Sequence, residues 1–275
     1  MSETYLGGIA IQIGINMILA LSLYVTFATG QVSLGHAGFM AIGGYVSAII
    51  TVQMGYPLIV AILIAALVSG TFGLIVGWPA LRLGGIYLAI ATLGFGIIVM
   101  VFFENFPYTG GSMGLQGMEG TNILLVYIAL VLIIFLIWNM LRSRWGRAFE
   151  AVKEDEIAAK SMGINITTIK IISFTIGAFI AGIAGALDAH YMYYIDAHNY
   201  TFMRSIEILL FLILGGSGII WGPLLGALIL TILPELLRFM SEWRMVFYGL
   251  LMMTMMIFRP QGILDRHLFH KKNRE

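Results

Sequence analysis

The 275-residue chain has no cysteine, which excludes disulfides and thiolate metal sites. Charge is scarce as well. Only 11% of residues are Asp, Glu, Lys or Arg, against about 25% in ordinary soluble domains. From Ile9 to Leu141 the charged residues are Arg82, Glu104 and Glu119 alone. No Gly-Lys dipeptide occurs anywhere, so there is no GxxxxGK(S/T) phosphate loop and no sign that this chain binds ATP itself. No HExxH or comparable cluster is present, and no catalytic residue is assigned. With a net charge of +1, bulk electrostatics suggests no nucleic-acid partner. The start, MSETYLGG, has no basic residue ahead of the first apolar run. It does not read as a cleaved signal peptide, so the first span is expected to be retained.

What the chain has instead is apolar surface. Hydrophobic residues make up 60% of it, and the mean hydropathy is +0.95. A soluble fold of this size has no interior large enough to hide that surface. The fold class is therefore an all-α polytopic membrane protein. A helical span needs about 20 mostly apolar residues. The runs that qualify are 7–28, 35–52, 57–79, 84–106, 121–141, 171–190, 206–233 and 245–258. Small residues at four-residue spacing, as in Gly177, Ala181 and Gly185 or Gly222 and Gly226, let helix backbones approach closely in lipid.

One stretch breaks the pattern. Arg142 to Lys170 holds ten charged residues in 29. Six are basic: Arg142, Arg144, Arg147, Lys153, Lys160 and Lys170. The C-terminal tail adds Arg259, Arg266, Lys271, Lys272 and Arg274. Short cytoplasmic loops are enriched in Lys and Arg, so island and tail are both expected in the cytoplasm, and loop 104–121 outside. Five spans precede the island, which places the N-terminus outside. Island and tail on one side require an even number of passes between them, yet three apolar runs lie there. Splitting 206–233 at GGSGIIWGP, 215–223, restores parity and gives about eight to nine helices; the alternative is one re-entrant segment. A second broken segment is TGQVSLGHAGF, 29–39. Irregular backbone at membrane depth is tolerated where protein or a water-filled cavity covers it, so both breaks are candidate linings of a polar path.

Gln31, Ser33, His36, Thr92 and Thr109 are polar groups near those breaks. Each is a candidate substrate contact or a cap for broken backbone. His36 stands alone between glycines, either at the path or bonded to a helix end. The repeat in DAHYMYYIDAH, 188–198, offers oxygen and nitrogen donors, but reads first as a polar loop at the membrane edge; no metal site is assigned. Within the island, 147–162 is expected to form one helix ended at Gly163. Ala148, Ala151, Val152, Ala158, Ala159 and Met162 fall within about 120° of each other, interrupted by Asp155. Phe149 and Ile157 point elsewhere. Such a helix has one side for this protein's own helix ends and another for a soluble partner.

GRAFEAVKEDEIAAKSMGIN, 146–165, resembles the cytoplasmic EAA-type loop of ABC importer permeases, through Gly146, Arg147, Glu156, Ala158, Ala159 and Gly163. GQVSLGHAGFMAIGGYVSA (30–48), GGIYLAIATLGFG (84–96), TGGSMGL (109–115), SIEILLFLILGGSGIIWGPLLGA (205–227) and FRPQGIL (258–264) are similar to the branched-chain amino acid permeases of that class, in the same order. GQVSLGHA and TGGSMGL fit the M-type subunit. The chain departs at Met113, where a polar or acidic residue is usual, and in YYIDAHNYTF, which lacks a proline.

The resemblance implies a single permease domain over 1–275 with a coupling loop at 142–170, in a bacterial or archaeal cytoplasmic (inner) membrane. It implies a heterodimer with a second permease subunit, two ABC ATPase subunits carrying ATP and Mg, and a periplasmic or extracellular substrate-binding protein. No cofactor is expected on this chain. Arg147, Glu156, Ala158, Ala159 and Gly163 would couple to the ATPase. Two other readings stay open: an ABC permease for urea, another amide or a sugar, and an ion-coupled secondary carrier, for which Asp188 and Glu207 are the nearest coupling groups.

Overall fold

The computed structural model describes residues 2–236, 249–250, 253–254 and 262–264. Ten α-helices appear among them: α1 Ser2–Phe27, α2 His36–Ala48, α3 Leu58–Ala80, α4 Ile86–Asn105, α5 Ile123–Arg142, α6 Arg144–Glu154, α7 Glu156–Ser161, α8 Ile166–Met192, α9 Phe202–Gly215 and α10 Trp221–Leu236. Two dipeptide strands, β1 Leu115–Gln116 and β2 Tyr194–Ile195, pair antiparallel. Five helices, α1, α3, α4, α5 and α8, are long and apolar enough to cross a membrane. The chain is an all-α polytopic membrane protein, as expected.

The centre of the bundle is α2. All its residues except Val46 are buried, which its small residues permit. A Cβ on Gly43 would stand 2.5 Å from the Gly182 Cα of α8 and 2.7 Å from its carbonyl carbon. A Cβ on Gly182 would stand 2.6 Å from the Ser69 Cβ of α3. Three helices therefore cross at one point with almost no side chain between them. Ser69 Oγ completes the crossing, 3.0 Å from the Phe39 carbonyl of α2 and 2.8 Å from the Ala178 carbonyl of α8. Its single proton is shared between the two. Packing of this kind is what holds helices together where lipid removes the hydrophobic drive between them. Phe39, Phe95 and Phe174 fill the space beside it. Outward faces carry Leu63, Leu67, Leu74, Leu124, Val131 and Phe135, all exposed.

Asn165 caps α8 by accepting from the Thr168 N–H, which starts that helix at Ile166, ahead of the expected 171. The run 35–52 is helical almost throughout, but after Ala48 it widens into a π turn, Ile49–Gln53. The run 206–233 is split: α9 ends at Gly215 and α10 begins at Trp221. The two cross where a Cβ on Gly226 would meet the Gly215 nitrogen at 2.8 Å. A helix leaves its last carbonyls without partners. Those of α9 are taken by the chain's late segment, Ile263 N–H donating to Leu214 (3.0 Å) and Leu264 N–H to Gly215 (3.0 Å). The expected span 245–258 and the basic tail fall largely outside the described residues.

The two ends of the bundle differ. At one end Gly30 lies against Lys153, whose ammonium sits 4.7 Å above the Phe27 ring at the end of α1. The α9–α10 turn, 217–221, shares a groove with Arg142, Glu150 and Lys153 there. This is the charged end, and residues 262–264 lie at it with the turn they cap. Strands β1 and β2 lie at the far end. Five helices precede the island, and α9 returns to the charged end before α10 leaves it, so the split at 215–223 matches the parity expected.

Substituting Gly182 with Val should overpack the triple crossing by about 1–3 kcal/mol or more. The expected result is a sharp fall in monodisperse protein after detergent extraction. A matching change at Gly84, where a Cβ would meet nothing within 4 Å, should leave the yield unchanged.

Candidate functional site

The island does not form one helix. Asp155 is extended (φ −155°, ψ 110°), closes α6 and opens α7. Its Oδ1 accepts from Ile157 N–H at 2.8 Å and Ala158 N–H at 3.0 Å. Aspartate prefers a cap to a helix interior because its carboxylate competes for backbone N–H groups. That preference divides the expected helix over 147–162. The division rotates the second segment. Ala159 is 2% exposed and packs with Phe149, Val152 and Ile169. Ile157 (80%) and Met162 (82%) face outward instead. Ala158 and Arg147 are also exposed. Gly163 has φ +83°, a left-handed turn that suits glycine, and Ile164 N–H reaches back to the Ala159 carbonyl. Gly146 lies against the Leu141 backbone with no room for a side chain, which lets α6 fold back beneath α5.

A polar relay leads from this platform into the bundle. Glu156 of α7 pairs with Lys170 of α8 at 2.7 Å. The Lys170 carbonyl accepts from Gln31 Nε2 at 3.1 Å, and the same nitrogen donates to Thr29 Oγ1 at 2.6 Å. Thr29 Oγ1 lies 3.2 Å from Ser173 Oγ of α8. The broken segment between α1 and α2 is thereby tied to the island.

That segment is non-helical chain inside the bundle, and its backbone is met by buried side chains. Leu34 N–H donates to Thr92 Oγ1 of α4 (3.0 Å), Gly35 N–H to Ser33 Oγ (3.2 Å) and Ala37 N–H to Ser205 Oγ of α9 (3.3 Å). His36 Nε2 is 3.3 Å from Thr26 Oγ1. Gln31 Oε1 and His36 Nδ1 have no hydrogen-bond partner in the structure. Gln31, Ser33, His36 and Thr92 thus meet around one turn of chain. Thr109 stands apart at the far end, bonded to the Phe103 and Phe106 carbonyls. Ser173 and Ser205 are equally involved and were not singled out: Ser173 sits inside an apolar run, and Ser205 lies between Arg204 and the start of one.

At the far end the β1–β2 pair joins loop 106–122 to 193–201, and Glu104 lies 3.7 Å from His198. Asp196 caps His198 N–H while His190 bonds Ala186 and Thr51. The two Asp-x-His pairs serve separate contacts.

Between the ends, Arg204 Nη1 donates to Glu207 Oε2 at 2.6 Å and Nη2 to Asn16 Oδ1 at 2.8 Å. Glu207, one of the two carboxylates nearest to coupling groups for an ion-driven carrier, is therefore ion-paired inside the bundle. Arg204 and Asn16 were not singled out in the sequence, although the Arg-x-x-Glu spacing on one helix face was visible.

The structure is thus a polytopic membrane bundle that buries a hydrogen-bonded break between its spans and extends a charged platform from one end. Family comparison makes this specific. Residues 5–256 match the model of the branched-chain amino acid transport system permease component, and the chain belongs to that family. It is 36% identical to the high-affinity branched-chain amino acid transport system permease protein LivM of Salmonella typhimurium, over 93% of this chain and 67% of that protein. The Escherichia coli K12 LivM gives the same figures. The autoinducer 2 import system permease protein LsrC of Escherichia coli is 27% identical, over 78% of this chain and 66% of that protein. No solved structure matches the chain.

Replacing Asp155 with Ala removes both cap bonds and should weaken α7 by about 0.5–2 kcal/mol. Amide hydrogen exchange across 156–161 should accelerate by the corresponding factor, and Asp155→Asn should restore most of the protection.

Proposed function

We propose that the chain is one membrane subunit of an ATP-driven ABC importer that moves branched-chain or other hydrophobic amino acids across the cytoplasmic membrane. The likeness to LivM along 93% of the chain carries this reading. The basic island supports a cytoplasmic charged end, with the N-terminus outside. A second permease subunit completes the path. Two ATPase subunits, holding ATP and Mg, bind under the platform, and a substrate-binding protein docks at the far end.

Coupling runs through α7. The face offered to the ATPase is that of Ile157, Met162, Ala158 and Arg147, all exposed. Ala159 supports it from behind, within the chain's own cluster, and Gly163 sets the turn that follows. Closure of the ATPases on ATP shifts α7. The Glu156–Lys170–Gln31 relay then carries the shift to the α1–α2 break. Hydrolysis resets the cycle, and the chain performs no covalent chemistry. LsrC favours a second reading, an import permease of the same build for a different small solute.

Ile157→Asp with Met162→Asp should cost roughly 2 kcal/mol of ATPase binding, about thirtyfold. Co-purified ATPase should fall accordingly while the second permease stays bound; full retention would place the docking face elsewhere. Proteoliposomes with ATP inside and the cognate binding protein outside should accumulate labelled leucine. Uptake of another solute class, without leucine uptake, would establish the LsrC-like reading.

A further inference from the structure

Asn16 of α1, Asp188 of α8, Arg204 and Glu207 of α9, and Thr231 of α10 meet inside the bundle. Their level follows from the helices. Ser69, midway along α3, marks the middle of the bundle through Ala178 of α8. Asp188 lies almost three turns further along α8 toward the far end, where Gly8 near the start of α1 meets Tyr191. The cluster is therefore in the outer half of the membrane.

Charge at that depth is costly. Arg204 is also in the first turn of α9, where the helix dipole opposes a cation. Packing alone gives no reason for the cost, since an apolar pair of similar volume fills such a site as well or better. The guanidinium is held firmly nonetheless. Asn16, only 2% exposed, accepts from it while donating from Nδ2 to Thr231 Oγ1 at 2.9 Å. A guanidinium has five N–H donors, and these contacts use two. Glu207 is in contact with the guanidinium and has a side chain 35% open, and the charge of Asp188 on α8 acts on the same guanidinium. Tyr200, four residues before Arg204, is buried with its hydroxyl against Gly44, the residue before Tyr45. The Tyr45 ring, fully buried, stacks on Phe103 at 4.1 Å, and its hydroxyl has no hydrogen-bond partner in the structure.

We propose that this cluster receives the charged end of a zwitterionic solute during its passage. The remaining N–H groups of Arg204 take the carboxylate. Glu207 and Asp188 take the ammonium. The Tyr45 and Tyr200 hydroxyls supply neutral partners alongside. The proposal rests on the reading of the chain as an amino-acid permease.

The test uses the intact complex, with both permeases, the ATPases and the binding protein, in proteoliposomes. Removing the guanidinium alone strands both carboxylates, so the informative variant neutralises all three groups: Arg204→Met, Glu207→Met and Asp188→Asn. It should assemble at wild-type yield and take up leucine at least a hundredfold more slowly. Uptake within about threefold of wild type would make the cluster purely structural and overturn the proposal. Should this triple variant not assemble, Tyr45→Phe decides. It removes a hydroxyl that bonds nothing in this structure, so a structural role predicts no change. The proposal predicts at least a fivefold higher half-saturating concentration of leucine-loaded binding protein, and an unchanged value overturns it. A wild-type complex that carries no amino acid would instead refute the substrate reading itself.

Discussion

Everything else in the bundle depends on how closely α2 can approach α8. Gly43 against Gly182, with Ser69 closing over both, leaves only the small Ser69 side chain at the crossing. In lipid there is little hydrophobic gain in bringing two helices together, so contact area and shared hydrogen bonds must supply the attraction. Ser69 provides both by sharing its proton between the carbonyls of two neighbours. Because α2 is sealed on all sides, the chain that leads into it is sealed too. That is the condition for keeping unwound backbone away from hydrocarbon.

The unwound stretch between α1 and α2 then becomes a mechanical element. Its backbone N–H groups are held by Thr92 and Ser205, side chains from α4 and α9. Its Gln31 is held by the backbone of α8, next to the Lys170–Glu156 pair at the platform. Three separate helices are therefore referenced to one short turn. A displacement of α7 has a hydrogen-bonded route to all of them, with no long lever of loose side chains between.

Much of this was legible in the residues, and the reasons differ by feature. The spans were, because an apolar run of membrane length is stable in the bilayer and in few other places. The split at 215–223 was, because charge on two segments imposes parity and only one run was long enough to divide. The island's single helix was misjudged at Asp155. Periodicity places a residue on a face but says nothing of a carboxylate that prefers to cap. Ala159 turned inward for the same reason. The Arg204 cluster could not have been assembled from sequence, since its members are spread from position 16 to position 231 and only the fold brings them together.

The capping of α9 also bears on how the protein comes to be built. Its last carbonyls, on Leu214 and Gly215, find their donors in Ile263 and Leu264. Those donors do not exist while α9 and α10 are entering the membrane during synthesis. The hairpin must wait, one end incomplete, until residues 263 and 264 have been made. The groove beside the platform, bordered by the same turn, takes its final shape only then. The order of translation thus delays the completed charged end until Ile263 and Leu264 have been made.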